Sequence, residues 1–166
     1  GWIWFTTKTD NRVHAVDLRN QRHEIVWDGG GRQPLTGVDN ITVDEGSGDL
    51  FVAEDGGNME LVVISPEGEV APFCRIADPA HEGSEVTGPC FNPTRDRLYF
   101  SSQRGPTSRP TNEMVATIDL GMFGGVTYEV TGPFRGRTGF PVRTTTTTTV
   151  PPTTTVPPTT TVPPTT

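Results

Sequence analysis

The chain alternates short apolar runs with turn residues, and this pattern predicts β-strands joined by hairpins. The runs are rich in Val, Ile, Phe, Tyr and Trp, while Gly, Pro, Asn and Asp fill the gaps between them, as tight turns require. No apolar stripe with helical spacing interrupts the series. We therefore predict an all-β fold with strands at residues 2–6, 13–17, 24–27, 41–43, 50–53, 61–64, 70–75, 90–91, 98–101, 115–119 and 127–130.

The runs also repeat, with a period long enough for one four-stranded sheet. Residues 50–52 superpose on residues 98–100, which lie 48 positions further on, and residues 3–5 match both. Four strands in each period of roughly 40–50 residues are the signature of a β-propeller. Closure of a propeller takes roughly four to eight blades, and the chain opens on Gly1, so we expect further blades upstream. The sequence predicts an incomplete β-propeller of about two and a half to three four-stranded blades, at residues 1–27, 39–75 and 88–131 within a domain spanning 1–143.

The end of the chain has a different composition, because residues 144–166 contain only Thr, Val and Pro. Proline lacks an amide donor, and threonine offers too little apolar area to offset the entropy cost of ordering. We predict a disordered, extended stalk at residues 144–166. Thr/Pro repeats of this kind are typical of O-glycosylated spacers in exported proteins, which predicts an extracellular or cell-surface location.

Charge narrows the range of partners. The chain carries 20 acidic and 13 basic residues, for a formal net charge of −7. That balance disfavours nucleic acid or an anionic membrane surface as the main partner and favours cations. No apolar run is long enough for a membrane span, so membrane insertion of this segment is not expected.

Acidic residues recur where the propeller pattern brings connections to one rim. The connection before the first strand of a blade and the connection after the second strand share a face, because neighbouring strands run antiparallel. Oxygen ligands gathered at such a rim suit calcium. The alternative is that they only form turns, which is the preferred interpretation for Asp10-Asn11. The predicted metal ligands are Asp39, Asn40, Glu54, Asp55 and Glu85, and Arg104 is either a phosphate contact or a solvated surface charge.

Cysteine and histidine give weaker signals. Cys74 and Cys90 either pair in an exported protein or serve as two small buried hydrophobic residues, and a zinc site is not supported because no matched histidines accompany them. The three histidines lack paired spacing and are expected on the surface or on strands. Serine-nucleophile and phosphate-loop motifs are absent from the sequence, and no catalytic residue is assigned.

An ordered series of motifs resembles the C-terminal blades of the PhoX-type alkaline phosphatase family, over nearly all of residues 1–134. The motifs are GVDNI at 37–41, EDGG at 54–57, ISPEGEVAPF at 64–73, GSEVTGPCFNP at 83–93, LYFSSQ at 98–103 and GVTYEVTGPF at 125–134. The resemblance implies an exported bacterial propeller that hydrolyses phosphomonoesters with a calcium and iron cluster. It places Asp39, Glu54, Asp55 and Glu85 in or beside that cluster, while the family's metal-binding cysteine lies in an upstream Cys-Glu motif and is not assigned to Cys90.

The sequence therefore indicates the C-terminal portion of an exported, PhoX-like metal-dependent phosphomonoesterase. Its cofactor is calcium, with iron as a second candidate, and its partners are a small phosphate ester and the missing upstream blades; alone, the chain is expected to be inactive. One alternative is a calcium-dependent lactonase or esterase propeller, which also uses Asp and Asn at the channel mouth. The other is a non-catalytic cell-surface propeller that binds proteins or glycans.

Overall fold

The computed structural model describes residues 1–30, 33–55, 58–106 and 125–134. The strand predicted at residues 115–119 and the stalk predicted at residues 144–166 lie outside these residues. In the described part of the chain, no helix is long and apolar enough to span a bilayer.

Three antiparallel sheets make up the described fold, so the prediction of an all-β protein is confirmed. Strands follow one another in each sheet in chain order, as hairpins require. The first sheet contains β1 (Trp2–Thr7), β2 (Arg12–Asp17) and β3 (Arg22–Asp28). The second contains β4 (Val38–Val43), β5 (Leu50–Glu54), β6 (Glu60–Ile64) and β7 (Val70–Arg75). The third contains β8 (Val86–Phe91), β9 (Arg97–Ser102) and β10 (Val126–Thr131), and a short 3-10 turn, Pro79–His81, precedes it.

The sheets stack face to face, and the second sheet is covered on both sides. All five residues of β5 are buried, because alternate side chains enter two different cores. Leu50 and Val52 pack towards the first sheet with Val13, whereas Phe51 and Ala53 pack towards the third sheet with a second set of residues. This second set is Met59, Leu61, Val86, Leu98, Phe100 and Phe134. The stacking explains why the runs read as continuously apolar.

The same relation repeats from sheet to sheet. Leu98 on β9 packs towards the second sheet, as Leu50 on β5 packs towards the first. The residues at the matching positions of β1, Ile3 and Phe5, are 48% and 39% exposed. The face of the first sheet that carries them therefore has the character of a packing face, and no described sheet covers it.

Two details of strand position differ from the sequence pattern. β10 pairs directly with β9, with Tyr128 opposite Phe100, so it takes the place that the repeat assigned to residues 115–119. The alternation of β10 explains this pairing, since Val130 and Tyr128 pack against the core. β4 and β8 also begin earlier than predicted, because each contains a register shift, after Val38 in β4 and after Thr87 in β8. Such bulges redirect side chains at sheet edges.

Neither cysteine is in a disulfide. Cys74 on β7 is partly buried against the core between the second and third sheets, and Cys90 on β8 is exposed. The alternative of two small buried residues therefore fits Cys74 and does not fit Cys90. Burial raises the pKa of the Cys74 thiol to about 11.

These environments predict that the two thiols react at very different rates with an aromatic disulfide reagent at about pH 8. Cys90 should react quickly, whereas Cys74 should react only on unfolding, because its thiolate is scarce well below its pKa of about 11. Release of the coloured thiolate, followed with and without denaturant, measures both rates. In Cys90→Ser the fast phase should vanish. Two fast-reacting thiols in the folded protein would contradict the assignment, and so would the absence of any reactive thiol in denaturant without reductant.

Candidate metal centre

The rim at the ends of β1, β5 and β9 collects the polar residues. Lys8, Asp55 and Gln103 each come directly after one of these strands, so they occupy the same position in three successive sheets. The backbone repeats as well: the amide of Asp55 donates to the carbonyl of Gly37 at 2.8 Å, and that of Gln103 donates to the carbonyl of Glu85 at 2.9 Å. The repeat thus fixes the backbone of this rim in the second and third sheets.

Three carboxylates converge at this rim. Asp39 lies in the bulged start of β4, Asp55 follows β5, and Glu85 directly precedes β8. One oxygen atom from each lies within 4.8 Å of the others. We call these three residues the acidic trio. Like charges this close must be balanced by a proton, a cationic side chain or a bound cation.

Two cationic side chains contact the acidic trio. The ammonium of Lys8 lies 2.8 Å from Asp55 Oδ2, 3.4 Å from Asp39 Oδ2 and 4.0 Å from Glu85 Oε2. The guanidinium of Arg104 donates to Glu85 Oε1 at 2.6 Å and also to the side chain of Gln103. Both cations are about half exposed, whereas the Glu85 side chain is only 10% exposed. The trio is therefore open to solvent on its cationic side.

The pKa values of Asp55 and Glu85 shift in opposite directions. A hydrogen bond with Asp55, together with burial, raises the pKa of Glu85. The same hydrogen bond, with help from Lys8, lowers the pKa of Asp55. Hydrogen bonding to Asp55 raises the pKa of Lys8. The pKa shifts of the two carboxyls are therefore opposite, and the hydrogen bond between Asp55 and Glu85 is the main cause of both.

Asn40, a predicted ligand, joins two strands. Its side-chain oxygen accepts from the amide of Gly88 at 2.8 Å and from the hydroxyl of Thr87, which ties β4 to β8. Its side-chain nitrogen donates to Asp39 Oδ1 at 3.1 Å. Asn40 thus orients Asp39, and its own oxygen is already engaged by two donors.

Glu54, also a predicted ligand, lies outside the acidic trio. It is fully buried, and its Oε1 accepts from both the amide and the hydroxyl of Thr36, at 2.8 and 2.7 Å. The third sheet has a corresponding hydrogen bond. Ser102 and Ser84 occupy the positions that match Glu54 and Thr36, and their hydroxyl oxygens are 2.9 Å apart. Glu54 therefore ties the end of β5 to the segment before β4. Its Oε2 is buried without a partner among the described residues.

His14 and His23 lie on strands, in line with the expected surface or strand positions, whereas His81 does not. His81 is buried, with Nδ1 at 2.8 Å from the Ser102 hydroxyl and Nε2 at 3.0 Å from the Tyr128 hydroxyl. His14 is also buried, and its Nδ1 lies 2.9 Å from Nε2 of His23 on the next strand. Spacing along the chain missed this pair, but hairpin pairing of β2 with β3 brings the two rings together.

The apolar cavity between the first two sheets is separate from the acidic trio. It has a volume of about 380 Å³ and lies at the opposite ends of β1, β4 and β5. Trp2, Trp4, Val43 and Leu50 line it, together with the exposed carboxylate of Glu45. A single carboxylate does not make an ion site, so the candidate chemistry stays at the trio's rim.

The donor set of the acidic trio fits a hard cation. Its three carboxylates supply oxygen alone, which is what calcium prefers, and neither thiolate nor imidazole belongs to the trio. Lys8, which sequence reasoning missed, already lies among these oxygens. The signal that could have found it is the repeat itself, because Lys8 matches Asp55.

An all-β protein of stacked antiparallel sheets, each of three or four strands among the described residues, belongs to the propeller class, and in this one a cluster of carboxylates lies at one rim. Within that class, the family model described as Alkaline phosphatase PhoX matches residues 4–105, more than half of the chain. The chain belongs to the PhoX alkaline phosphatase family, whose members are metal-dependent, and this confirms the resemblance drawn from the motifs. No curated protein matches the chain.

Proposed function

We propose that this chain forms part of the metal-binding rim of an exported phosphomonoesterase that depends on calcium, with iron as a second candidate. Asp39, Asp55 and Glu85 would hold the cation. The observation that carries the proposal is the convergence of three carboxylates, from connections far apart in sequence, in a chain of a phosphatase family. The substrate class that follows from the family is a small phosphate ester.

Each side chain at the rim has a distinct part in this proposal. When bound, the cation supplies positive charge that offsets the phosphate and polarises its oxygens. Asn40 holds Asp39 in position through the bond between its side-chain nitrogen and Oδ1. Arg104 lies beside Glu85 with its planar fork half exposed, and this shape matches two phosphate oxygens. Arg104 would orient the phosphate at the edge of the centre.

Further blades of the same fold would complete the centre and supply the remaining ligands. Support comes from the first sheet, where Ile3, Phe5 and Ile25 expose an apolar face that matches the packing faces of the other sheets. A sheet placed there would bury these side chains, as the second sheet buries those of the first. We also propose that residues 144–166 form an exported stalk, on the basis of their Thr/Pro composition alone.

The metal assignment predicts that Asp55→Asn weakens calcium binding by about tenfold or more, because ligand charge count sets calcium affinity. Isothermal titration of the metal-free chain with calcium chloride measures this, and elemental analysis after dialysis gives the stoichiometry. Asp28→Asn is the matched control, since Asp28 pairs with Arg12 outside the trio. Equal affinity in wild type and Asp55→Asn would remove the trio from consideration as the centre.

Activity is tested on the complete gene product. It should release phosphate from an aryl phosphate, lose this activity in chelator, and regain it when calcium is returned. Asp39→Asn should lower phosphate release together with bound metal. Ring opening of a lactone without phosphate release would support the lactonase alternative. If the protein binds metal but shows neither activity, the result would support the non-catalytic binding module.

A further inference from the structure

Lys8 is the single lysine of the chain. Its side chain lies among the carboxylate oxygens of the acidic trio. Its ammonium is within 3.4 Å of one oxygen of Asp55 and one of Asp39, and 4.0 Å from Glu85. The remaining basic residues are all arginine. An ammonium is a compact point charge with donors in several directions, so it can sit among carboxylates in the way a small cation does.

The ammonium and a metal ion compete for the same oxygens. A divalent cation bound by Asp39 and Asp55 would repel the Lys8 charge from its present distances of 3.4 and 2.8 Å. Lys8 and Arg104 also offset part of the negative charge of the acidic trio, which leaves less charge to attract a cation.

We propose that Lys8 is a built-in counter-cation that occupies the candidate metal centre of the metal-free chain and must leave it when a metal binds. The long side chain makes this exchange feasible, because half of it is exposed and it can swing into solvent without disturbing the core. Lys8 thereby offsets part of the negative charge of the rim without metal and lowers the affinity for calcium. This inference rests on the proposed function, since it takes the acidic trio as the metal centre.

The first experiment is titration of the metal-free chain with calcium chloride. Lys8→Met keeps the length of the apolar stem and removes the charge, so calcium should bind about tenfold more tightly, whereas Lys8→Arg should bind as weakly as wild type. Arg12→Met is the matched control: it removes the same charge from ion pairs with Asp10 and Asp28, outside the trio, and should leave affinity unchanged. No gain in Lys8→Met, or an equal gain in Arg12→Met, would overturn the inference.

The second experiment needs no variant, so it holds even if Lys8→Met does not fold. Lys8 is the single lysine of this sequence, and an amine-reactive ester followed by mass spectrometry of the peptides reads it separately from other amines. Calcium should increase labelling of Lys8 several-fold and leave labelling of the N-terminal amine unchanged. Unchanged or reduced labelling of Lys8 in saturating calcium would overturn the inference.

The two proposals fail in different ways. If Asp55→Asn loses calcium binding but Lys8→Met gains none, the metal centre stands and the role of Lys8 is wrong. If Asp55→Asn and Asp39→Asn bind calcium as wild type does, the metal centre is elsewhere and both proposals are wrong. Absence of calcium binding in the complete gene product, both as wild type and as Lys8→Met, would likewise overturn both.

Discussion

Replacement of Phe51 by alanine should lower the free energy of unfolding by about 3–5 kcal/mol, the largest effect expected for a single substitution in this chain. Phe51 is 3% exposed and lies on β5 between the second and third sheets. Its ring makes edge contacts with Phe73 at 5.0 Å and Phe91 at 5.3 Å, and with Phe134 at 6.1 Å. Alanine would leave a cavity at the junction of three aromatic rings.

Urea unfolding followed by tryptophan fluorescence and by circular dichroism measures this change. Phe5→Ala is the matched control, because Phe5 sits at the position on β1 that faces outward and is 39% exposed. It should cost less than half as much as Phe51→Ala. A loss in Phe51→Ala no greater than that in Phe5→Ala would mean that the second and third sheets are not packed through these rings.

Replacement of Glu54 by alanine should cost about 1–3 kcal/mol, because it removes a fully buried side chain and leaves the amide and hydroxyl of Thr36 without their acceptor. Glu54→Gln keeps an oxygen for Thr36 and should cost less than half of that. The measurement is urea unfolding of the metal-free variants. The comparison separates the loss of the whole side chain from the loss of its negative charge.

The same variants decide between two roles for Glu54. If it serves as a tie between segments, Glu54→Gln should bind calcium with the affinity of wild type. If it serves as a metal ligand, Glu54→Gln should lose calcium affinity as Asp55→Asn does, while the metal-free protein stays stable. The second outcome would show that the buried Oε2 reaches the centre when the metal is bound.

The sheets could be predicted from sequence because their signals are local and repeated. Alternating apolar residues and turn residues mark each hairpin, and the spacing of 48 between Leu50 and Leu98 marks equivalent strands. The third sheet was the exception. Its strand β10 pairs with β9, and the choice between residues 115–119 and 126–131 depends on packing against Phe100 and other core residues, which no local pattern records.

The sequence pattern predicted which rim carries the acidic residues better than it predicted which of those residues come together. Connections at shared positions bring Asp39, Asp55 and Glu85 together, as hairpin topology requires. The pattern could not separate Glu54 from Asp55, because it treats both as acidic residues after a strand. The structure separates them: Glu54 is the last residue of β5 and fully buried, whereas Asp55 lies beyond the strand and is exposed.

Lys8 could not be predicted from the acidic motifs, because such motifs do not include the basic residue that balances them. The repeat nonetheless predicts the position of Lys8, since Lys8 precedes Asp55 by the same interval that separates Ile3 from Leu50. Whether a residue at such a position contacts a neighbouring sheet depends on side-chain length and on the bond from Thr6 to the backbone of Asp39, which joins β1 to β4. These are tertiary contacts.

Lys8, Asp55 and Gln103 occupy the same position in three successive sheets, and this position is one at which related proteins can differ in charge. Each of these side chains projects from a turn, so a cationic, anionic or neutral group can be exchanged there without repacking any interior. A modest number of codon changes could therefore alter the charge of this rim, one sheet at a time, while the buried packing is conserved.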